Sequence, residues 1–340
     1  VRLPNEGFQI KEVFSDKAPL IIDANSNNEI VDLTSDNLAL DIFLNECIKN
    51  NALNRVASVK TYSKQPISNA LLESLLIVNS ILNEFGGGLH EFKETSISEN
   101  FQPSPDTLNL LKKYWGNNAQ FRSLKVYKNP DSGNDIIEIS QGLIVETIIK
   151  EYNNSVSNHN SRDLFLTAPT GAGKSLLFQL PSFYVSDKGD ITIVVSPLIA
   201  LMKDQVNAII SERQFDKVAY LNSELSLVDR ERIIENCHSG DVDLLYMSPE
   251  LLMSYDISHF IGNRKLGLVV IDEAYMITTW GRDFRVDYWF LGNHIRKIRK
   301  YHNMSFPMVA VTATAIYGGA NDMVFDSIDS LVMRNPHVYI

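Results

Sequence analysis

Two short stretches of this 340-residue chain hold the residue types that phosphate chemistry requires. In "APTGAGKS", Ala168 to Ser175, glycines allow backbone N–H groups to turn inward around an anion. Lys174 can reach the outer phosphates of a nucleotide and the Ser175 hydroxyl can hold Mg2+, with Thr170, Gly171, Ala172, Gly173 and Leu176 completing the cradle. In "VVIDEA", Asp272 and Glu273 close an apolar run. A carboxylate at the C-terminal end of a parallel strand lies in the ligand crevice, where Asp272 can bind the metal ion and Glu273 can orient and deprotonate an attacking water. An acid pair by itself reads as a solvated strand end. Together the two stretches predict a site for ATP and Mg2+ in which Lys174, Asp272 and Glu273 are catalytic.

Such residues need a scaffold, and the flanking pattern supplies one. "DLFLTA", "ITIVVSP", "DLLYMSPE", "LGLVVIDEA" and "PMVAVTAT" read as strands, separated by "KSLLFQLPSFYV", "LIALMKDQVNAII" and "NHIRKIRKYH" as helices. Continuous Val/Ile/Leu runs alternating with helices indicate an α/β fold with a mostly parallel sheet covered on both faces. "SPDTLNLLKKYWG" is a punctuated helix, with Ser104 as N-cap, Pro105 in the first turn and Gly116 past the end. The polar segment Asn153 to Arg162 reads as a surface loop. "RKIRK", Arg296 to Lys300, reads either as a phosphate-binding patch or, more commonly, as one solvated helix face. Residues 1–103 read as a mainly helical accessory region, with helices over Leu38 to Asn50 and Ser68 to Phe85 and at most a strand pair.

Composition bounds the rest. With 44% hydrophobic and 21% charged residues the chain is globular, and its net charge of −10 confines any polyanion site to a local groove. Cys47 and Cys237 match no metal-ligand spacing and suit a reducing compartment. The start "VRLPNEGFQI" lacks a signal-peptide pattern and the apolar stretches are interrupted, so a cytoplasmic protein is expected, with no membrane partner.

"SPLIALMKDQV", "MSPELL", "DEAYMITTWGRDFRVDY" and "AVTATA" follow one another in an order and spacing that resemble motifs Ia, Ib, II with its aromatic-rich loop, and III of RecQ-like DNA helicases of superfamily 2. The resemblance covers about residues 104–340 and implies a RecA-like ATP-binding lobe preceded by an accessory region over 1–103. It implies ATP hydrolysis coupled to 3′-to-5′ movement on single-stranded or partly duplex DNA. By position, Ser196, Pro197 and Lys203, then Ser248 and Pro249 with Glu250 nearby, would follow the nucleic-acid backbone. Trp280, Arg282, Phe284 and Arg285 would sense DNA, and Tyr275, Thr312 and Thr314 would couple that contact to ATP. Gln141 would read adenine. The chain departs from the family in a longer segment before Gln141, in Tyr275 where histidine is usual, and in Arg282 where histidine is usual. It also stops soon after motif III, so a second RecA-like lobe carrying an arginine finger is expected in the full-length protein, and one lobe alone should be weakly active. Two other functions fit the same residues: an ATP-gated nucleic-acid or partner-binding subunit with little unwinding, and an RNA helicase.

Overall fold

The computed structural model describes residues 21–23, 29–33, 38–61, 69–92, 101–127, 136–157, 159, 161–279, 286–317 and 322–340. The chain divides into two compact units, Val1–Thr95 and Ser96–Ile340. The division falls earlier than the boundary at 103 and 104 expected from sequence. Pro103 explains the difference, because its ring lies against Gly142 and leaves no room there for a side chain, which ties the segment ahead of Ser104 to the second unit.

In the first unit the elements are β1 (Ile21–Asp23), β2 (Glu29–Leu33), α1 (Leu38–Lys49), β3 (Val56–Thr61), α2 (Asn69–Glu84) and β4 (Gly88–Phe92). The two helices lie where the apolar spacing puts them. The expectation of a mainly helical region needs correcting, however, because four strands form a sheet in the order β1-β4-β3-β2 with every pairing parallel. Short strands of mixed polarity leave little trace in sequence. Leu40, Phe43 and Cys47 of α1 and Leu75, Val78 and Leu82 of α2 bury themselves with Ala57, Val59 and Leu89 of the strands. Asn79 in α2 adds a directional link, its side-chain oxygen accepting a hydrogen bond from the Leu89 amide at 2.7 Å.

The second unit begins with α3 (Pro105–Trp115), capped as expected by the Ser104 hydroxyl, which accepts from the Thr107 amide. A hairpin of β5 (Ser123–Tyr127) and β6 (Ile136–Ser140) leads into α4 (Gln141–Val156). Helix α4 absorbs Asn153 to Val156, so the polar loop expected from Asn153 starts later. There follow β7 (Leu164–Thr167), α5 (Lys174–Asp187), β8 (Ile191–Val195), α6 (Ile199–Arg213), β9 (Val218–Leu221), α7 (Leu227–Ser239) and β10 (Leu244–Met247). Then come α8 (Pro249–Ser254), α9 (Ile257–Ile261), β11 (Leu266–Ile271), α10 (Met276–Thr279), α11 (Val286–Tyr301), β12 (Met308–Thr312), α12 (Met323–Ser330) and β13 (His337–Tyr339).

Seven of these strands form one parallel sheet in the order β13-β7-β12-β11-β8-β10-β9, the RecA-like α/β architecture expected. Successive strand residues point to opposite faces and bury in two separate cores. Leu166, Val194, Tyr246, Val270 and Val311 meet α4, α5 and α6 on one face. Phe165, Ile193, Met247, Ile271 and Ala310 meet α7, α9, α11 and α12 on the other. Both faces being covered is why the strands read as unbroken apolar runs. Among the described residues, no helix is long and apolar enough to cross a membrane.

Candidate active site

All seven strands of the large sheet run the same way, so their C-terminal ends share one edge. Four backbone hydrogen bonds beyond the ladders stitch five of those ends together. Ala168 donates to Thr312, Ala274 to Val311, Asp272 to Val195 and Ser196 to Met247, at 2.9 to 3.0 Å. The phosphate loop, the Asp-Glu pair, "SPLIAL", "MSPELL" and "TAT" are therefore fixed side by side, although up to 144 residues separate Ala168 from Thr312 along the chain.

The phosphate loop takes its shape from two glycines in the left-handed region, Gly171 at φ +83° and Gly173 at φ +78°. Gly173 is the N-cap of α5, and a Cβ there would lie 2.8 Å from Nε2 of Gln141. Both conformation and crowding demand glycine. Lys174 and Ser175 open the helix, where first-turn amides have no intrahelical acceptor and the dipole favours an anion. Pro169, Thr170 and Gly171 are exposed, so the loop faces solvent rather than the core.

Across the crevice, Lys174 Nζ stands 3.8 Å from Glu273 Oε1, with both side chains largely buried. Glu273 has φ +51°, a conformation that costs a non-glycine residue about 1–3 kcal/mol. The turn it makes lets its own amide donate to Asp272 Oδ1 at 3.0 Å while its carboxylate reaches Lys174. Asp272 is 3% exposed. Burial, and then the charge of Glu273, push its carboxyl up to about 6 from 3.8, against the opposing hydrogen bonds from Gln205 and the Glu273 amide and the charge of Lys174. Gln205 of α6 donates from Nε2 to Asp272 Oδ2 at 3.3 Å.

A hard divalent cation fits these groups. Asp272 is a buried carboxylate repelled by a neighbouring one, Ser175 supplies a hydroxyl, and Gln205 Oε1 is a buried acceptor with no hydrogen-bond partner. No set of three or more His, Cys, Asp or Glu ligands occurs among the described residues. Mg2+ suits that arrangement because it is held by one or two protein oxygens together with substrate phosphates and water.

Gln141, expected to read adenine, is bonded to the phosphate loop itself. It is 1% exposed, its Nε2 donates to the Ala172 carbonyl at 2.7 Å, and its Oε1 accepts from the Arg122 amide at 3.0 Å. Both ends of the amide thus bond backbone, and the side chain braces the phosphate loop. Arg122 adds a long contact from Nη1 to the Gly171 carbonyl, at 3.5 Å.

The residues expected along the nucleic-acid path divide in two groups. Lys203 is exposed on α6. Ser196 is fully buried, with a hydroxyl that lacks a hydrogen-bond partner, Pro197 is buried beside it, and Ser248 is spent capping α8, its hydroxyl accepting from the Leu251 amide. Ser196 and Pro197 follow β8, an inner strand of the large sheet. A cavity of about 310 Å3 opens beside them, lined by Ile199, Ser223, Arg230, Ser248, Glu250 and Leu251 with Ser254. Sequence reading missed Ser223 and Arg230, whose guanidinium donates to the Ser223 carbonyl at 2.7 Å, since no local pattern marks them. Thr312 is buried and donates to the Thr314 carbonyl at 3.1 Å, while Thr314 is exposed. Tyr275 is half-buried between Glu273 and α10. Trp280, Arg282, Phe284 and Arg285 lie outside the described residues. "RKIRK" divides too: Arg296, Lys297 and Lys300 are exposed, but Arg299 turns inward to pair with the buried Asp163 at 2.6 Å.

A comparison with known proteins adds the family. The DEAD/DEAH box helicase model matches residues 146–322, just over half of the chain. An ATP-dependent DNA helicase RecQ of Pasteurella multocida is 36% identical over 179 residues, which cover 53% of this chain and 26% of that protein. The ATP-dependent helicase SGS1 of Saccharomyces cerevisiae is 36% identical over 181 residues, 52% of this chain and 12% of the relative. The ATP-dependent DNA helicase Q5 of Rattus norvegicus is 41% identical over 160 residues, 45% and 15% respectively. The chain thus spans about a quarter or less of the length of these relatives. Phosphate loops occur in many nucleotide enzymes, but the matched span takes in the loop, the Asp-Glu pair and the stitched strand ends together, and on that ground the chain belongs to the DEAD/DEAH box helicases, among which it is RecQ-like.

Proposed function

We propose that this chain is the ATP-binding motor lobe of a RecQ-like DNA helicase, which hydrolyses ATP with Mg2+ and couples hydrolysis to 3′-to-5′ movement on single-stranded or partly duplex DNA. The observation that carries the reading is the meeting of Lys174 and Glu273 at 3.8 Å beside the buried Asp272, on strand ends bonded to those that bear the expected DNA-side residues. Lys174, at the head of α5, would lie against the outer phosphates. Ser175 and Asp272 would hold Mg2+, which when bound neutralises charge on the β and γ phosphates. Glu273 would take a proton from the attacking water as its oxygen bonds to the γ-phosphorus and ADP leaves. Thr312 and the backbone bond from Ala168 to Thr312 offer a mechanical path between phosphates and the neighbouring strand ends. The arginine finger would come from a second RecA-like lobe, and residues 1–95 would form a separate accessory unit.

The test is steady-state ATPase of the full-length gene product with and without single-stranded DNA at stated salt, set against Glu273→Gln. The reading expects DNA to raise kcat and Glu273→Gln to lower it by about 100-fold or more, with KM little changed. An enzyme indifferent both to DNA and to that substitution would sink the motor and favour an ATP-gated binding subunit. Stimulation by RNA but not DNA would reassign the polymer.

A further inference from the structure

Gln205 belongs to α6, the helix that starts just after Ser196 and Pro197, yet its side chain reaches back into the ATP site. Asp272 is held by two donors. One is the neighbouring Glu273 amide on Oδ1, and the other is Gln205 Nε2 on Oδ2, at 3.3 Å. The orientation of the amide is dictated by chemistry: turned over, Gln205 would set a carbonyl oxygen against a carboxylate oxygen, with no donor between them. With Nε2 so committed, Oε1 is left as a buried acceptor without a partner. A second buried oxygen without a partner, Ser196 Oγ, belongs to the residue after Val195, whose carbonyl receives the Asp272 amide. Unpaired buried acceptors are uncommon and call for a donor such as ordered water.

We propose that Gln205 is a positioning residue of the metal site: Nε2 fixes the rotation of the Asp272 carboxylate, and Oε1 accepts a hydrogen bond from water carried by the divalent cation. This rests on Asp272 being a metal ligand, as the proposed function holds. Gln205 makes no contact with the reacting atoms; it acts through Asp272 and through water. It also makes α6, which exposes Lys203, a direct side-chain neighbour of the metal carboxylate.

The experiment is a titration of Mn2+ into the ADP-saturated protein, read by electron paramagnetic resonance, alongside ADP binding in EDTA. Gln205→Met keeps length and bulk but cannot donate. It should weaken Mn2+ binding by about tenfold, the low end for partners of a metal ligand, while metal-free ADP affinity changes by less than about twofold. If that variant does not fold, Gln205→Asn, too short to reach Asp272, is read in the same way. Unchanged Mn2+ affinity, or an equal loss of ADP affinity in EDTA, would overturn the proposal. Asp272→Asn separates the two levels. If it retains Mn2+ affinity, the metal-site reading itself fails; if it loses Mn2+ while Gln205→Met does not, only the role of Gln205 falls.

Discussion

Asp272 and Glu273 share the end of one strand and do opposite things with their charges. Glu273 turns through a left-handed φ and meets Lys174, whereas Asp272 stays at 3% exposure with its carboxyl raised to about 6. A folded-state value above the free one means that protonated Asp272 favours folding. That contribution is complete below pH 3.8 and lost as pH rises through about 6, beyond which the ionised carboxylate costs on the order of 2–3 kcal/mol. In EDTA and without nucleotide, Asp272→Asn should therefore be more stable than the parent at pH 8 by roughly that amount, and the gap should close between pH 6 and 4. Urea melts at several pH values check this, and a gap independent of pH would contradict it. At this scale the sequence was informative about Lys174, Ser175, Asp272 and Glu273, because their spacing relative to strand and helix is local. Gln205 and the bracing role of Gln141 were not legible. Their partners lie 67 and 31 residues away, so only the fold brings them together.

The same distinction holds for elements. The five strands read from apolar runs are the five inner strands of the large sheet, buried on both faces. Strands β9 and β13, which the sequence reading missed, are its two edges, only four and three residues long, with half-buried positions that break the apolar run. Edge strands are short and polar for good reason, and that makes them hard to see. What holds β13 in place is equally non-local. Asp163, fully buried ahead of β7, accepts from Arg299 through both oxygens, from the Met308 amide and from the Arg334 amide, and its backbone bonds Arg334 and His337. Asp163→Ala would leave two arginines without their carboxylate, a loss of about 3–5 kcal/mol. For a unit of this size the melting temperature should fall by about 6–20 °C, whereas a change of a degree or two would refute the clamp. Calorimetry gives the answer directly. Because the clamp lies at the N-terminal end of the strands, away from the phosphate loop, nucleotide affinity of the folded fraction should hold.

Taken as a molecule, the chain carries −10 net charge, so the DNA binding proposed above would have to come from a confined face rather than from the whole surface. Along the stitched strand edge, Lys203 is exposed two residues from Gln205, whose side chain bonds Asp272, and Arg230 lines the cavity beside Ser248. The first unit, a parallel α/β sheet with its own core, lies outside residues 146–322, the span matched by the helicase model. Everything proposed for the second unit, from coupling to DNA to the role of Gln205, depends on this lobe taking Mg2+–ATP. The most direct measurement is equilibrium binding of a fluorescent ATP analogue in Mg2+ to the 340-residue chain and to Lys174→Ala. Saturable binding that Lys174→Ala weakens by about 30-fold or more, the loss of a charge-assisted contact to phosphate, is the predicted result. No binding by the parent chain, or equal binding by the variant, would contradict the account.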